Sequence, residues 1–181
     1  MTRIEPERLA ARYARIAAQL AELYRGYDDA LARMASAAAL LHHKMPHFFW
    51  TGFYRHEAGR LIVGPYQGPL ACAELRGPDG VCWACLQRGA PLLVPDVDAY
   101  PGHVACDARS RSEVVVPVRD RDGAVSAVLD VDAEHPAAFT AVDRDGLTMV
   151  ANLIWGPAKP ARTSTEAPGA RRGGADSRAE E

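Results

Sequence analysis

Ser112-Glu113-Val114-Val115-Val116-Pro117-Val118-Arg119-Asp120-Arg121-Asp122-Gly123-Ala124-Val125-Ser126-Ala127-Val128-Leu129-Asp130-Val131-Asp132 is the stretch around which the rest of the chain organises. Two valine-rich runs flank an Asp-Arg-Asp-Gly turn, so the segment reads as a β-hairpin of buried strands, Glu113 to Arg119 and Ala124 to Asp132. Side chains alternate along a strand, which puts Asp130 and Asp132 on one face and Leu129 and Val131 on the other. Carboxylates on such a face must be solvated, paired or in use, and Glu113 adds a third acid to the hairpin. Crowded, desolvated acids push each other's pKa upward, which makes them candidate proton donors. The plainer alternative is an edge strand whose acids face water.

Working outward from the hairpin, Phe48 to Tyr54 reads as one strand and Arg60 to Tyr66 as a second, joined by a turn at Glu57-Ala58-Gly59. Pro69 to Leu75 is a third short strand, Val81 to Arg88 a short helix stopped by Gly89, and Pro91 to Val97 another extended piece before a loop over 98–111. The flanks are helical. Leu9, Tyr13, Ile16 and Leu20 mark one helical face, opened by a Thr2/Glu5 capping box with Pro6 and ended by Gly26. Asp28 or Asp29 caps a second helix with an apolar face of Leu31, Met34, Ala38 and Leu41. Thr140 or Asp143 opens a last helix carrying Leu147, Val150 and Leu153-Ile154. After Trp155 no Val, Ile, Leu, Met, aromatic or Cys occurs, so 156–181 is expected to be a disordered tail.

The chain has 181 residues, 48% of them apolar and 24% charged, which suits one globular unit. Its 21 Lys+Arg against 23 Asp+Glu leave a net charge of −2, without the basic footprint of a dedicated nucleic-acid binder. No apolar run reaches the roughly 18 residues of a membrane helix, and the start has no secretory h-region, so the expectation is a cytoplasmic protein. In that reducing compartment the four cysteines call for redox chemistry, metal ligation or plain burial.

Cys106 stands in a polar loop between His103 and the guanidinium groups of Arg109 and Arg111. Nearby positive charge favours thiolate, the nucleophilic form, whereas a structural cysteine would sit in an apolar segment.

Several short motifs occur in one order: Trp50-Thr-Gly-Phe-Tyr54, Gly64-Pro-Tyr-Gln-Gly-Pro69, Ala71-Cys72, Gly80-Val-Cys82, Pro95-Asp-Val97, Pro101-Gly-His-Val-Ala-Cys-Asp107, Ser112-Glu-Val-Val-Val-Pro117 and Val128-Leu-Asp-Val-Asp132. Together they resemble the free methionine-R-sulfoxide reductases built on a GAF domain, from about residue 28 to about residue 155, with one extra residue in the Asp120 to Gly123 turn. The resemblance implies a 28–155 GAF-like catalytic domain, to which the residue pattern adds the 1–27 N-terminal helix and the 156–181 tail. The fold would be α+β, a mostly antiparallel sheet with the terminal helices on one side and a loop-covered pocket on the other. It further implies reduction of free methionine-R-sulfoxide without metal or organic cofactor. Cys106 would be the nucleophile and pass through a sulfenic acid. Cys72 would resolve it, with Cys82 as the second choice, and a thioredoxin-type reductant would reopen the disulfide. Trp50 and Tyr54, two pleat periods apart, match the family's apolar wall for the S-methyl group, and Glu113, Asp130 and Asp132 its acids, their individual roles open. A homodimer through the helical side is also implied.

The chain departs from the family at Pro78 and Trp83, where glycines are usual, and adds Cys85, so the surroundings of Cys82 are expected to differ. Two rival readings remain. Cys82-x2-Cys85 followed after 17 residues by His103-x2-Cys106 falls within zinc-ligand spacing, although Trp83-Ala84 suits a helix better than a knuckle. A GAF module that senses a small molecule without catalysis is the other, since fold alone does not give function.

Overall fold

The computed structural model describes residues 4–103 and 106–156. In chain order it comprises α1 (Pro6–Leu23), α2 (Ala30–Lys44), β1 (Trp50–Glu57), β2 (Arg60–Gln67), β3 (Glu74–Leu75), α3 (Val81–Arg88), β4 (Leu92–Val94), β5 (Ser112–Arg119), β6 (Val125–Ala133) and α4 (Ala141–Ala151), with short 3-10 turns at Tyr24–Gly26 and Val97–Ala99. The six strands form one sheet in the order β3-β2-β1-β6-β5-β4, and every neighbouring pair is antiparallel.

Alternation along the strands separates two cores. Phe53, Val114, Val116, Val118, Leu129 and Val131 point to one side, where α1, α2 and α4 cover them with Leu9, Tyr13, Leu20, Leu41, Leu147 and Val150. Each fully buried leucine there contributes about 2 kcal/mol from area removed from water. On the other side Val115 and Val128 pack under α3 and the loops, together with Leu61, Val81, Cys85 and Val97. The terminal helices thus cover one face of the sheet, and the three hairpin acids with Trp50 and Tyr54 lie on the other.

Several local signals act as their chemistry predicts. Asp29 caps α2 by accepting from the Ala32 amide at 2.7 Å. Thr140 and Asp143 act together at the start of α4 as a reciprocal capping box. Gly89 ends α3 with φ +60°, a left-handed conformation that favours glycine.

Other expectations are corrected or fall outside the described residues. The capping box involving Thr2 and the tail over 157–181 lie outside the described residues, and α1 starts at Pro6 without a side-chain cap. Only Glu74–Leu75 of the 69–75 segment pairs as a strand, because the residues before it turn over the pocket. Leu31 is half exposed beside Gly64 and Pro65 rather than part of the α2 core face, which is completed instead by Ala37. The α4 helix stops at Ala151, so Leu153 and Ile154 follow it in turns. The edge-strand alternative for Asp130 and Asp132 fails: β6 lies inside the sheet, between β1 and β5.

Candidate active site

The strand register gathers the site. Asp132 of β6 stands opposite Trp50 of β1 on one side and Glu113 of β5 on the other, and Asp130 stands opposite Gly52 and Val115. Glu113, Asp130, Asp132, Trp50 and Tyr54 therefore share the sheet face away from the terminal helices. They line a cavity of about 60 Å3 that Leu70, Asp79 to Val81, His103, Cys106, Asp107 and Ser110 close over.

Its apolar wall is Trp50 and Tyr54, and Tyr66 backs Trp50 so that the three rings stack. Trp50 lies nearly parallel to Tyr54, with centroids 5.7 Å apart and 23° between planes, and to Tyr66, at 5.5 Å and 19°. Gly52 makes the stack possible: a Cβ there would overlap Tyr66 Cβ and lie 2.5 Å from Trp50 Cη2. Sequence reasoning missed Tyr66, although its place in β2 opposite Gly52 is a register consequence. Tyr54 reaches the roof, its hydroxyl donating to the Cys72 carbonyl at 3.4 Å.

The acids are held away from their ordinary ionisation. Burial raises Asp130 from an ordinary 3.8 to about 6, and hydrogen bonds from Cys82 and Glu113 limit the rise. Burial, then the charges of Asp130 and Asp132, pushes Glu113 well above the usual carboxylate range. Asp132 is also pushed well up, by burial and by Asp130, against a hydrogen bond from Ser110. Two neutral acids thus flank the group that ionises first, and Glu113 donates toward it. Trp50 Nε1, Asp130 Oδ1 and His103 Nε2 are buried without hydrogen-bond partners among the described residues, leaving donor and acceptor capacity for a bound molecule.

The four cysteines divide three ways. Cys72 and Cys106 are joined by a disulfide, their Cα atoms 5.7 Å apart, and Cys106 lines the cavity. Cys82 stays free at the cavity floor with Sγ 4.0 Å from Glu113 Oε1, its thiol kept protonated by burial and by Asp130. Cys85, on the same helix, is fully buried in the core, and burial pushes its thiol up to about 12. The zinc arrangement of Cys82, Cys85, His103 and Cys106 does not form, since the Cys106 sulfur is bonded to Cys72 and Cys85 packs among apolar side chains.

The departures from the family pattern fit together. Trp83 lies inside α3, so it needs no positive φ; that conformation falls on Gly80 at φ +93°. The indole donates to the Leu75 carbonyl at 2.9 Å and packs on Gly77, where a Cβ would lie 2.5 Å from the ring. Cys82 therefore faces the site despite the changed loop.

The cationic surroundings expected for Cys106 are corrected in part. Arg109 is engaged with Asp107 at 2.8 Å and lies over the Phe49 ring at 4.6 Å, and Arg111 pairs with Asp98 at 3.1 Å. Those bonds from Arg109 bring Asp107 down to about 2. His103 turns Nδ1 toward Glu113 Oε2 at 3.9 Å, and burial lowers its pKa, so near neutral pH it is an uncharged neighbour of a protonated acid.

The model of the GAF domain family matches residues 25–156. The chain is 36% identical over 142 residues to the free methionine-R-sulfoxide reductase of Escherichia coli, covering 78% of this chain and 86% of that protein. The structure of free methionine-R-sulfoxide reductase from Neisseria meningitidis in complex with its substrate is 38% identical, superposes with a TM-score of 0.76 and covers 80% of this chain and 87% of its own. A putative GAF sensor protein from Burkholderia vietnamiensis is also 38% identical, with a TM-score of 0.78 over 83% of this chain and 95% of that one. With the fold, the three acids and the Cys72–Cys106 pair already described, these matches show that the chain belongs to the GAF-domain free methionine-R-sulfoxide reductase family.

Proposed function

We propose that this protein reduces free methionine-R-sulfoxide to methionine, with Cys106 as nucleophile and Cys72 as resolving thiol. The observation that carries the reading is the pairing of these cysteines beside an acid-floored, aromatic-walled cavity. In the reduced enzyme the Cys106 thiolate attacks the sulfoxide sulfur while a proton from the cavity passes to the sulfoxide oxygen. In the resulting four-bonded sulfur the hydroxyl passes to the Cys106 sulfur as the old S–O bond and the new sulfur–sulfur bond break, so methionine leaves and Cys106 carries the oxygen as a sulfenic acid. The Cys72 thiolate then attacks the Cys106 sulfur and expels the oxygen as water after protonation, which forms the disulfide. A thioredoxin-type dithiol returns both cysteines to thiols and is itself oxidised. Cys82 acts as a hydrogen-bond donor to the acids rather than as the resolving thiol, since its own thiol is strongly held protonated.

Glu113 supports the proton-donor role best, being buried, neutral and aimed at Asp130. Asp130, the first to ionise, and Asp132 receive the substrate ammonium. The Trp50 and Tyr54 rings receive the S-methyl group. The same reading includes a cytoplasmic, reducing setting and a homodimer through the helical side, where Leu23, Leu31 and Met149 are exposed apolar residues. Among the described residues no helix is long and apolar enough to cross a membrane.

Turnover of free methionine-R-sulfoxide with dithiothreitol tests the proposal and separates it from a sensor that only binds. The wild type is expected to release methionine and Cys106→Ser to release none. Persisting turnover in Cys106→Ser overturns the mechanism, and a wild type that binds without turnover favours the sensor.

A further inference from the structure

The cavity floor holds a second set of ligands that the sulfoxide chemistry does not need in combination. Cys82 Sγ, one carboxylate oxygen of Glu113 and one of Asp130 all lie within 4.8 Å of each other. All three residues are buried and face the same cavity. Asp130, 6% exposed, keeps Oδ1 buried with no hydrogen-bond partner among the described residues. Within the same limits, the only nitrogen at ion-pair distance from these carboxylates is His103 Nδ1, 3.9 Å from Glu113 Oε2. Three donor atoms converging in a desolvated pocket, beside a carboxylate oxygen left without a partner, suit a cation, and sulfur among the donors selects which.

We propose that Cys82, Glu113 and Asp130 form a binding site for a thiophilic divalent cation of the Zn2+ class. Sulfur plus two carboxylate oxygens suits zinc and disfavours Mg2+ or Ca2+, which take all-oxygen shells. Zinc bonds of about 2.3 Å to sulfur and about 2.1 Å to oxygen in a tetrahedron set the donors roughly 3.5 Å apart, so the cluster closes on the ion with about 1 Å of side-chain movement. The Cys82 thiol proton and the proton held by Glu113 both leave to solvent as the metal–sulfur and metal–oxygen bonds form, and a water in the fourth position faces the cavity. This donor set shares only Cys82 with the zinc arrangement suggested by spacing. Because it takes Glu113 and Asp130, a bound ion excludes an amino-acid substrate and inhibits the enzyme.

The test uses the oxidised protein without methionine sulfoxide, so its outcome is independent of the reductase reading: the Cys72–Cys106 bond removes two thiols and leaves Cys85 as the one thiol besides Cys82. Co2+ serves as the probe, because thiolate ligation gives a sulfur-to-cobalt charge-transfer band in the near ultraviolet. One equivalent is expected to bind, with the band displaced by Zn2+, lost in Cys82→Ser and kept in Cys85→Ser. Absence of the band in the wild type, or its survival in Cys82→Ser, overturns the proposal. If circular dichroism finds Cys82→Ser unfolded, Glu113→Gln and Asp130→Asn decide. Each is expected to weaken Co2+ binding at least about tenfold, and unchanged affinity in both overturns the site.

Discussion

Replacing Asp130 by Asn is expected to stabilise the protein and to impair it, with the stabilisation confined to pH values above about 5. The residue is 6% exposed on an internal strand, and burial lifts its pKa from an ordinary 3.8 to about 6. A group whose folded pKa exceeds its unfolded value contributes most below the unfolded pKa, and the contribution is lost as pH rises through the folded one. At pH 7.5 the fold therefore carries an ionised Asp130 at a cost of about 3 kcal/mol, from roughly two pK units at 1.36 kcal/mol each. An amide keeps an acceptor for Cys82 and Glu113 and removes the charge, and part of the gain is lost because its neighbours readjust. A net gain of about 1–3 kcal/mol, or roughly 2–10 °C in melting temperature, follows at pH 7.5, with none at pH 4. Calorimetry of the reduced, substrate-free proteins at both pH values reads this directly. An equal difference at the two pH values, or a variant less stable at pH 7.5, refutes the reasoning.

Two further predictions follow from the cavity. Gly52→Ala forces Tyr66 and Trp50 apart, and a strain of about 1–3 kcal/mol is expected to lower the melting temperature and raise KM for the sulfoxide about tenfold or more; steady-state kinetics with an unchanged KM would count against the aromatic wall. Glu113→Gln cannot give up a proton, so kcat/KM is expected to fall about 10²- to 10⁴-fold. Because the raised pKa of Glu113 keeps it protonated at low pH, the wild type loses activity as pH climbs through that value, and the variant lacks this alkaline limb. A Gln variant with more than a tenth of normal turnover removes Glu113 from the donor role.

What local chemistry dictates was readable, and what distant contacts dictate was not. The 112–132 hairpin announced itself through β-branched runs around an Asp-Gly turn, and the period of two correctly put Asp130 and Asp132 together, away from Leu129 and Val131. The helix over Val81–Arg88, with its Gly89 stop, follows from local rules alone. Spacing could not tell an edge strand from an internal one, because strand order is set by long-range pairing. Nor could it foresee that Trp83 would settle on Gly77, or that Arg109 would turn to Asp107 and Phe49 instead of the thiol. The loops carrying Cys72 and Cys106 have no periodicity to read, so their pairing came from family likeness before the fold brought their Cα atoms within 5.7 Å.

The most direct trial of the central claim is peptide mapping of the fully reduced protein after one exposure to free methionine-R-sulfoxide, without reductant and with free thiols blocked at the quench. A single new crosslink joining the Cys72 and Cys106 peptides, formed with one equivalent of methionine, is the predicted result. A Cys82–Cys106 link, or methionine release with Cys72 still free, would contradict it.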